Sequence, residues 1–600
     1  MRIAILTLIT LAVVLDGGRV TADDKASGAD FFEKKIRPLL IKRCYECHSE
    51  KAGEQQGGLL LDRRSGWIKG GNTEEAILPA EPNESLLIKA VRYGDEKLQM
   101  PPEEKLPEEE IRLLIQWVRL GAPGPRNDLG DTSFSRLGDQ EYLFQKAKTH
   151  WAYQPIKTDK PPTSKFEGWD QSPIDQFVAA KLEKHGLNPS NRADARSMIR
   201  RLSYDLTGLP PSLDVVQRFA ADSKRNRRKA IEDTVEALME SPAFGEHFAR
   251  LWLDVARYGD TDGAYRPDTR TPHYFPWAFS YRDYVVESFN QDRPIDDFIK
   301  QQLAADLMGV AKESPEIAAL GFLTTGPHAN RNQKETVDDW IDVTTRGLMG
   351  ITVACARCHD HKYEPVPTAD YYSLHGIFSS VVRVHPLDEH RQPLINGYEP
   401  SDADRTDYES KRAAIDKKIK GVGKKKAKNN NRSIATKIRE TELAQLLLFH
   451  PGAPARAMIV IEKKVPVEPV IFIRGQEPSR GEAVPRRFLQ ILDSKQEAFP
   501  ADASGRLQLA EKIVDPKNPL TSRVFINRIW GYLMGSHLVA TPSDFGLQGE
   551  TPSHPRLLDW LPHDFVSNGW SLKRLVRQIV MSRTYQQASR HREDMADIDP

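Results

Sequence analysis

The residues best equipped for chemistry are four cysteines, used in two copies of one pattern: Cys44-Tyr45-Glu46-Cys47-His48 and Cys355-Ala356-Arg357-Cys358-His359. Two thiols about one helical turn apart can each add to a vinyl group of a porphyrin, and the adjacent imidazole then lies under the iron as proximal ligand. C-x-x-C-H is the attachment pattern of c-type haem. With 4 Cys and 16 His in 600 residues, an accidental match is expected in roughly one of a thousand such chains. Here two matches consume every cysteine. Three plainer uses stay open: a pair of C-x-x-C disulfides with a redox role, one all-thiolate zinc site, and a second copy kept without haem. No βαβ pattern surrounds either pair, and some 300 residues separate them, which counts against the first two. The sequence therefore predicts two covalently attached haems, bound through Cys44 and Cys47 and through Cys355 and Cys358, with His48 and His359 on the irons.

The sixth ligands differ. Leu98-Gln99-Met100-Pro101-Pro102 puts a methionine in a proline-pinned loop some fifty residues after His48, so Met100 is the expected second axial ligand of the first iron. After His359 come Asp360, His361, Lys362 and Tyr363, with no comparable loop. His361 is too close in sequence to reach the opposite face. His375 is a candidate, His328 and His273 weaker ones, and each is equally readable as an ordinary hydrogen-bonded histidine. An iron left open there would make the region an enzyme candidate, with Asp254, Arg257, Tyr258 and Asp260 worth testing. Asp254 and Arg257, three apart, are expected on one helix face, where an ion pair is the plainer reading.

The elements that must hold these residues are mostly helices, and the expected fold class is mainly α and multidomain, with minor β-structure near 455–475. Phe32, Ile36, Leu39 and Leu40 recur at helical spacing and predict a helix over Asp30 to Arg43. Pro107 and Glu108 to Glu110 open another, ended at Gly121. This gives a small all-α haem module over 24–122, then a linker over 123–149 rich in Gly, Asp, Ser and Arg. A helical domain is expected over 150–390, with helices over Ile174 to Gly186, Asp194 to Thr207, Gly245 to Gly259, Tyr281 to Gly309 and Val337 to Gly350. A helical hairpin is expected over 401–450, with the basic run Lys417 to Lys428 at its tip, and a C-terminal domain over 455–600. Met458 to Ile461 and Val467 to Arg474 are strand signals.

Lys and Arg (85) almost balance Asp and Glu (84), for a net charge of +1, which gives no global reason to expect nucleic acid as a partner. Residues 1–22 read as a secretory signal: Arg2, an apolar run from Ile3 to Leu15, and small residues before Asp23. No later segment reads as transmembrane. The expected location is periplasmic or secreted.

Pro38-Leu39-Leu40, the first cysteine motif, Gly57-Gly58-Leu59 and Met100-Pro101-Pro102 together resemble the planctomycete cytochrome C domain. RRLSYDLTGLPPS (200–212), LWLDVARYGDTDG (251–263) and CARCHDHKYEPVPTADYYSLHGIF (355–378) resemble the planctomycete domain of unknown function usually found after it. The stretches around Asn518 to Val524, Asn527 to Trp530, Thr541 to Gly546 and Ser582 to Tyr585 resemble its usual C-terminal companion. The resemblance implies an exported protein with a redox partner, a candidate being the exported protein encoded by a neighbouring gene in related genomes. It also implies that such chains run beyond position 600, so this one reads as a fragment. The function it supports is electron transfer by a dihaem protein, as the redox module of an extracytoplasmic oxidoreductase acting on complex polymers. The alternatives are a peroxidase-like enzyme with an open second haem, or a polymer-binding protein with a redox-tuning haem.

Overall fold

The structure is a computed structural model that describes residues 31–50, 56–63, 66–67, 70–72, 75–78, 81–95, 98–123, 139–266, 271–326, 333–424, 431–590 and 592. The expected signal segment and most of the expected linker lie outside these residues. The chain divides into two units, Met1–Leu137 and Gly138–Pro600, and the described residues are mainly helical.

In the first unit, wide turns over Phe32–Ile36 run into α1 (Arg37–Arg43), because Phe32, Ile36, Leu39 and Leu40 must all face inwards. Leu86–Arg92 forms α2 and Glu108–Arg119 forms α3. Three acids in the first turn of α3 suit its N-terminal dipole. The core is an aromatic trio, Phe32, Trp67 and Trp117, with ring centroids 5.1–5.7 Å apart. The Trp117 indole N–H donates to the Pro123 carbonyl at 2.7 Å. Arg43 at the end of α1 reaches Glu110 at 3.1 Å, so the residue just before Cys44 is tied to α3.

The second unit opens with a helix inside the expected linker, α4 (Gln140–Ala147), capped by the Asp139 carboxylate. Leu143 and Ala147 bury against Leu547, a contact that composition over 123–149 could not reveal. Then come α5 (Pro173–Lys184) and α6 (Ala195–Thr207). Asp194 caps the start of α6 through the Arg196 and Ser197 amides, and Gly208 ends it at φ +70°, a left-handed turn that glycine adopts without cost. Leu213–Glu240 forms α7, Pro242–Val255 α8, and the short strands β1 (Thr261–Arg266) and β2 (Thr271–Tyr274) pair antiparallel. The helix expected over Tyr281 to Gly309 is two helices, α9 (Ala278–Asn290) and α10 (Ile295–Ala304). Pro294 cannot donate to the helical ladder, and Asp292 before it turns at φ +53°, so the chain breaks there.

Gln333–Met349 forms α11, which leads to the second cysteine motif, and Thr368–Ser379 forms α12 behind it. The expected hairpin is present as α13 (Asp402–Lys424) and α14 (Asn431–Phe449), packed on each other; part of its basic tip lies outside the described residues. The expected strand signals are short pairs: β3 (Val381–Arg383) with β4 (Val460–Glu462), and β5 (Val470–Phe472) with β6 (Arg480–Ala483). The chain finishes with α15 (Arg506–Val514), α16 (Thr521–Met534), α17 (Pro555–Ser567) and α18 (Leu572–Val580). One continuous hydrophobic cluster runs from Ala152 through Trp340 and Tyr372 to Tyr585, so the helices before and after the hairpin share a core.

Buried arginines stitch that core together. Arg506, wholly buried, donates to the Leu303 carbonyl at 2.8 Å and pairs with Asp306 at 2.8 Å and Glu462 at 2.6 Å. Arg506→Ala would leave both carboxylates half-buried without their cation. Because each still touches solvent, the cost is expected at the low end for a broken buried pair, about 3 kcal/mol, read as a lowered urea midpoint by tryptophan fluorescence.

Candidate functional site

At the first motif, Cys44 closes α1, its amide donating to the Leu40 carbonyl at 2.8 Å, and the His48 amide donates to the Cys44 carbonyl at 2.9 Å. The pentapeptide is thus one further turn, with both thiols on it. Cys44 and Tyr45 pack on the aromatic core together with Leu59. Burial pushes the Cys44 thiol up to about 12, away from the low value that marks a reactive redox thiolate. The glycine turn before Leu59, Gly57 and Gly58 at φ +64° and +66°, brings the Leu59 carbonyl within 3.3 Å of His48 Nδ1. A carbonyl can only accept, so Nδ1 carries the proton and Nε2 is left as the free ligand atom. Tyr45 Oη and Trp67 Nε1 are buried without a partner among the described residues. Unsatisfied donors beside a motif for porphyrin attachment fit a group whose carboxylates accept hydrogen bonds. Met100 is 38% exposed, its amide donating to the Ala90 carbonyl at 3.3 Å, and the Tyr93 hydroxyl donates to the Pro101 carbonyl.

The second motif stands at the surface. After α11, Gly350 (φ +64°) turns the chain and Ala354–Arg357 makes a tight helical turn. Cys355, Cys358 and His359 are all exposed. His359 Nδ1 lies 2.7 Å from the Asp360 carbonyl, so by the same argument Nε2 is free to ligate. Arg357 and the Tyr371 hydroxyl both hold Asp338. His375 is half-buried, packed against Tyr371, Tyr372 and Phe472, and bonded through Nδ1 to Ser379 at 3.2 Å. Burial, then the Arg357 charge, pushes it down to about 4, so it is neutral. It lines a cavity of about 30 Å³, far below what a porphyrin needs. His328 lies outside the described residues, as does the side chain of His273.

The loop after His359 is clamped from inside. His361, 4% exposed, accepts the Tyr363 and Glu364 amides at Nδ1 (3.2 and 2.9 Å). Its proton therefore sits on Nε2, and it anchors the loop from inside, whereas His359 stands exposed with Nε2 free. Glu364, 2% exposed, takes the Tyr153 hydroxyl at 2.8 Å and the Leu547 amide at 3.0 Å, and Gly546 makes room, since a Cβ there would overlap the carboxyl. Asp370 pairs with Arg487 at 2.6 Å and takes the Gln490 amide at 2.8 Å. The sequence singled out neither Glu364 nor Asp370, because their partners lie 211, 183 and 120 residues away.

Asp254 and Arg257 do not form the expected pair. Arg257 sits past the end of α8 at φ +48°, off the helix face, and its guanidinium binds Asp339 Oδ1 at 2.7 Å and the Ala256 and Phe322 carbonyls at 2.9 Å. The Tyr258 hydroxyl donates to Asp260 at 2.6 Å. Asp254 and Tyr258 line an open groove with Arg250, Arg282 and Glu287.

The fold and the first motif define a helical chain with a cytochrome c domain, which implies a covalently bound haem c that Cys44 and Cys47 fit. Family models identify that domain and its companions along the chain: Planctomycete cytochrome C matches residues 44–104, Protein of unknown function (DUF1549) matches 173–383, and Protein of unknown function (DUF1553) matches 505–600. No curated protein and no solved structure matches the chain. Among the described residues no helix is long and apolar enough to cross a membrane.

Burial raises the Glu364 carboxyl from 4.5 to about 7, so its neutral form is the one the fold favours. A raised carboxyl adds stability that is full below 4.5 and lost as pH rises through 7. Glu364→Gln mimics that neutral form. Wild type is expected to lose about 3 kcal/mol relative to the variant between pH 4.5 and about 8. Parallel melting curves for the two proteins across that range would refute the assignment.

Proposed function

We propose that this protein is an exported electron carrier with two haems c, one on Cys44, Cys47 and His48, the other on Cys355, Cys358 and His359. The observation that carries the reading is shared by the two motifs: in each, a backbone carbonyl takes the imidazole Nδ1 and leaves Nε2 for iron. Bound haem supplies one-electron chemistry; the chain's own residues attach it, fix the tautomer of its ligand and set its surroundings. At the first site Met100 would supply the second protein ligand, and a thioether there would raise the reduction potential and close the iron to substrates. The partner is a redox protein, and the larger domains serve as its docking frame. A second reading, in which the second haem is open and reacts with peroxide as part of an oxidoreductase, is favoured by the exposure of Cys355, Cys358 and His359.

Expression in a host with cytochrome c maturation tests this. Intact mass is expected to show two added macrocycles in wild type, and one each in Cys44→Ser/Cys47→Ser and in Cys355→Ser/Cys358→Ser. Colourless wild-type protein without added mass would overturn the whole reading, and a single macrocycle would overturn its second half. Met100→Ala is expected to lose the thioether-to-iron band of the ferric near-infrared spectrum. A high-spin component that binds cyanide in wild type would select the second reading; inert low-spin iron would select the first.

A further inference from the structure

In the 138–600 unit, the starts of α5 and α6, the middle of α7 and the segment after α18 line a cleft of about 300 Å³ that contains no residue of the second cysteine motif. Arg192, Arg227, Arg228 and Arg583 line it, with Asp175 and Gly168. Four guanidinium groups would ordinarily be balanced by carboxylates, and here none of the four is within ion-pair distance of one among the described residues. Asp175 is committed elsewhere: Oδ2 accepts the Arg583 amide at 2.8 Å, and Oδ1 accepts the Thr584 amide and hydroxyl at 2.8 and 2.7 Å. Asp194, near Arg227, is spent on capping α6. Arg228 donates to Gln171 at 3.2 Å and Arg227 to the Ala193 carbonyl at 2.7 Å. The guanidinium groups of Arg192 and Arg583 make no hydrogen bond or ion pair among the described residues.

A solvated cationic surface is the plain alternative, and two features separate this cleft from one. Arg583 is seated: a Cβ at Gly168, whose φ is +70°, would overlap its Nη2, so the backbone is shaped to receive that side chain. Among the described residues Arg227 Nε is buried without an acceptor, a donor left unsatisfied at a cost. The groups also feel one another. Burial and then Arg583 lower the pKa of Arg192, and burial and then Arg192 lower that of Arg227. Like charges gathered with an unmet donor are relieved by an anion that several guanidinium forks can share.

We propose that the cleft binds a sulfate or phosphate group, free or as an ester on a small molecule. Tetrahedral oxyanions offer oxygens in several directions to converging guanidinium groups, whereas one carboxylate satisfies a single fork. The volume admits such a group with the unit that carries it. Arg192 also lines a neighbouring groove of about 700 Å³ with Arg201, Arg590 and Arg592, which gives a larger ester a cationic way out. The site involves no haem ligand, so it stands or falls separately from the electron-transfer reading.

Titration calorimetry on the full chain tests it, with sodium sulfate, sodium phosphate and sodium chloride at equal ionic strength, and with glucose 6-sulfate and glucose 6-phosphate as ester probes. Saturable one-site binding of sulfate or phosphate, absent with chloride, is expected. Arg192→Gln, which removes a guanidinium that makes no internal bond among the described residues, and Arg583→Gln are each expected to weaken it about tenfold. Arg556→Gln, whose partner is Asp159, is expected to leave it unchanged. Tighter binding of the esters would assign the site to a carried group, and equal affinity to the free ion. A response no different from chloride, or one unaltered in both cleft variants, would overturn the proposal.

Discussion

Everything in the 138–600 unit depends on a few buried side chains that satisfy backbone far away in sequence. Arg523, 1% exposed, donates to the Ala152 and Gln154 carbonyls at 3.2 and 3.0 Å and pairs with Asp559 at 2.6 Å. Arg528 donates to the Gly347 and Arg346 carbonyls at the end of α11. Arg506 joins α15 to α10 and β4. Buried carbonyls must be paired, and buried guanidinium groups must be too. Each of these arginines therefore admits one placement of the C-terminal helices against the earlier ones.

That frame positions the second cysteine motif. The turn that carries it starts where Arg528 holds the end of α11, and the loop after it is fixed by Glu364 and Asp370, most of whose partners come from beyond residue 480. The first motif is built in the opposite way. There the thiols sit on a continuation of α1, and the module's own aromatic trio supplies the packing. One pentapeptide pattern thus occurs once against an apolar core and once on a polar, exposed turn. Burial and dielectric are levers on the potential of a bound iron, so under the proposed two-haem reading the two environments would give the two irons different potentials.

What was legible in the sequence was what is local. Asp194 before α6 and Gly208 after it, Pro107 with three acids opening α3, and the two strand signals near 460 and 470 act within one or two turns of themselves. The motif spacing is local as well, and it named the cysteines and histidines. Pro294 was an equally local signal that the apolar periodicity over Tyr281 to Gly309 overrode. Other features required partners no periodicity reports. Arg257 meets Asp339, 82 residues on, and α4 is helical in a polar stretch because Leu547 covers it. The arginine cleft draws on positions 192, 227, 228 and 583, and none of these looks unusual alone.

The stretches that carry the family resemblance divide along the same line. Asn518 and Thr521 both bond the Ile513 carbonyl, and Asn527 exchanges hydrogen bonds with Val539; with Arg523 and Arg528 they are framework. In Ser582-Arg583-Thr584-Tyr585, Ser582 bonds Ile579, Thr584 bonds Asp175 and the Tyr585 hydroxyl bonds Asp205 at 2.7 Å. Tyr585 also offers its carbonyl to Arg201, so this stretch closes on the one around RRLSYDLTGLPPS. Three of its four side chains are consumed in that closure. The fourth, the Arg583 guanidinium, is held in place by Gly168 yet bonded to nothing among the described residues, and a side chain positioned at such expense without an internal partner points to one from outside.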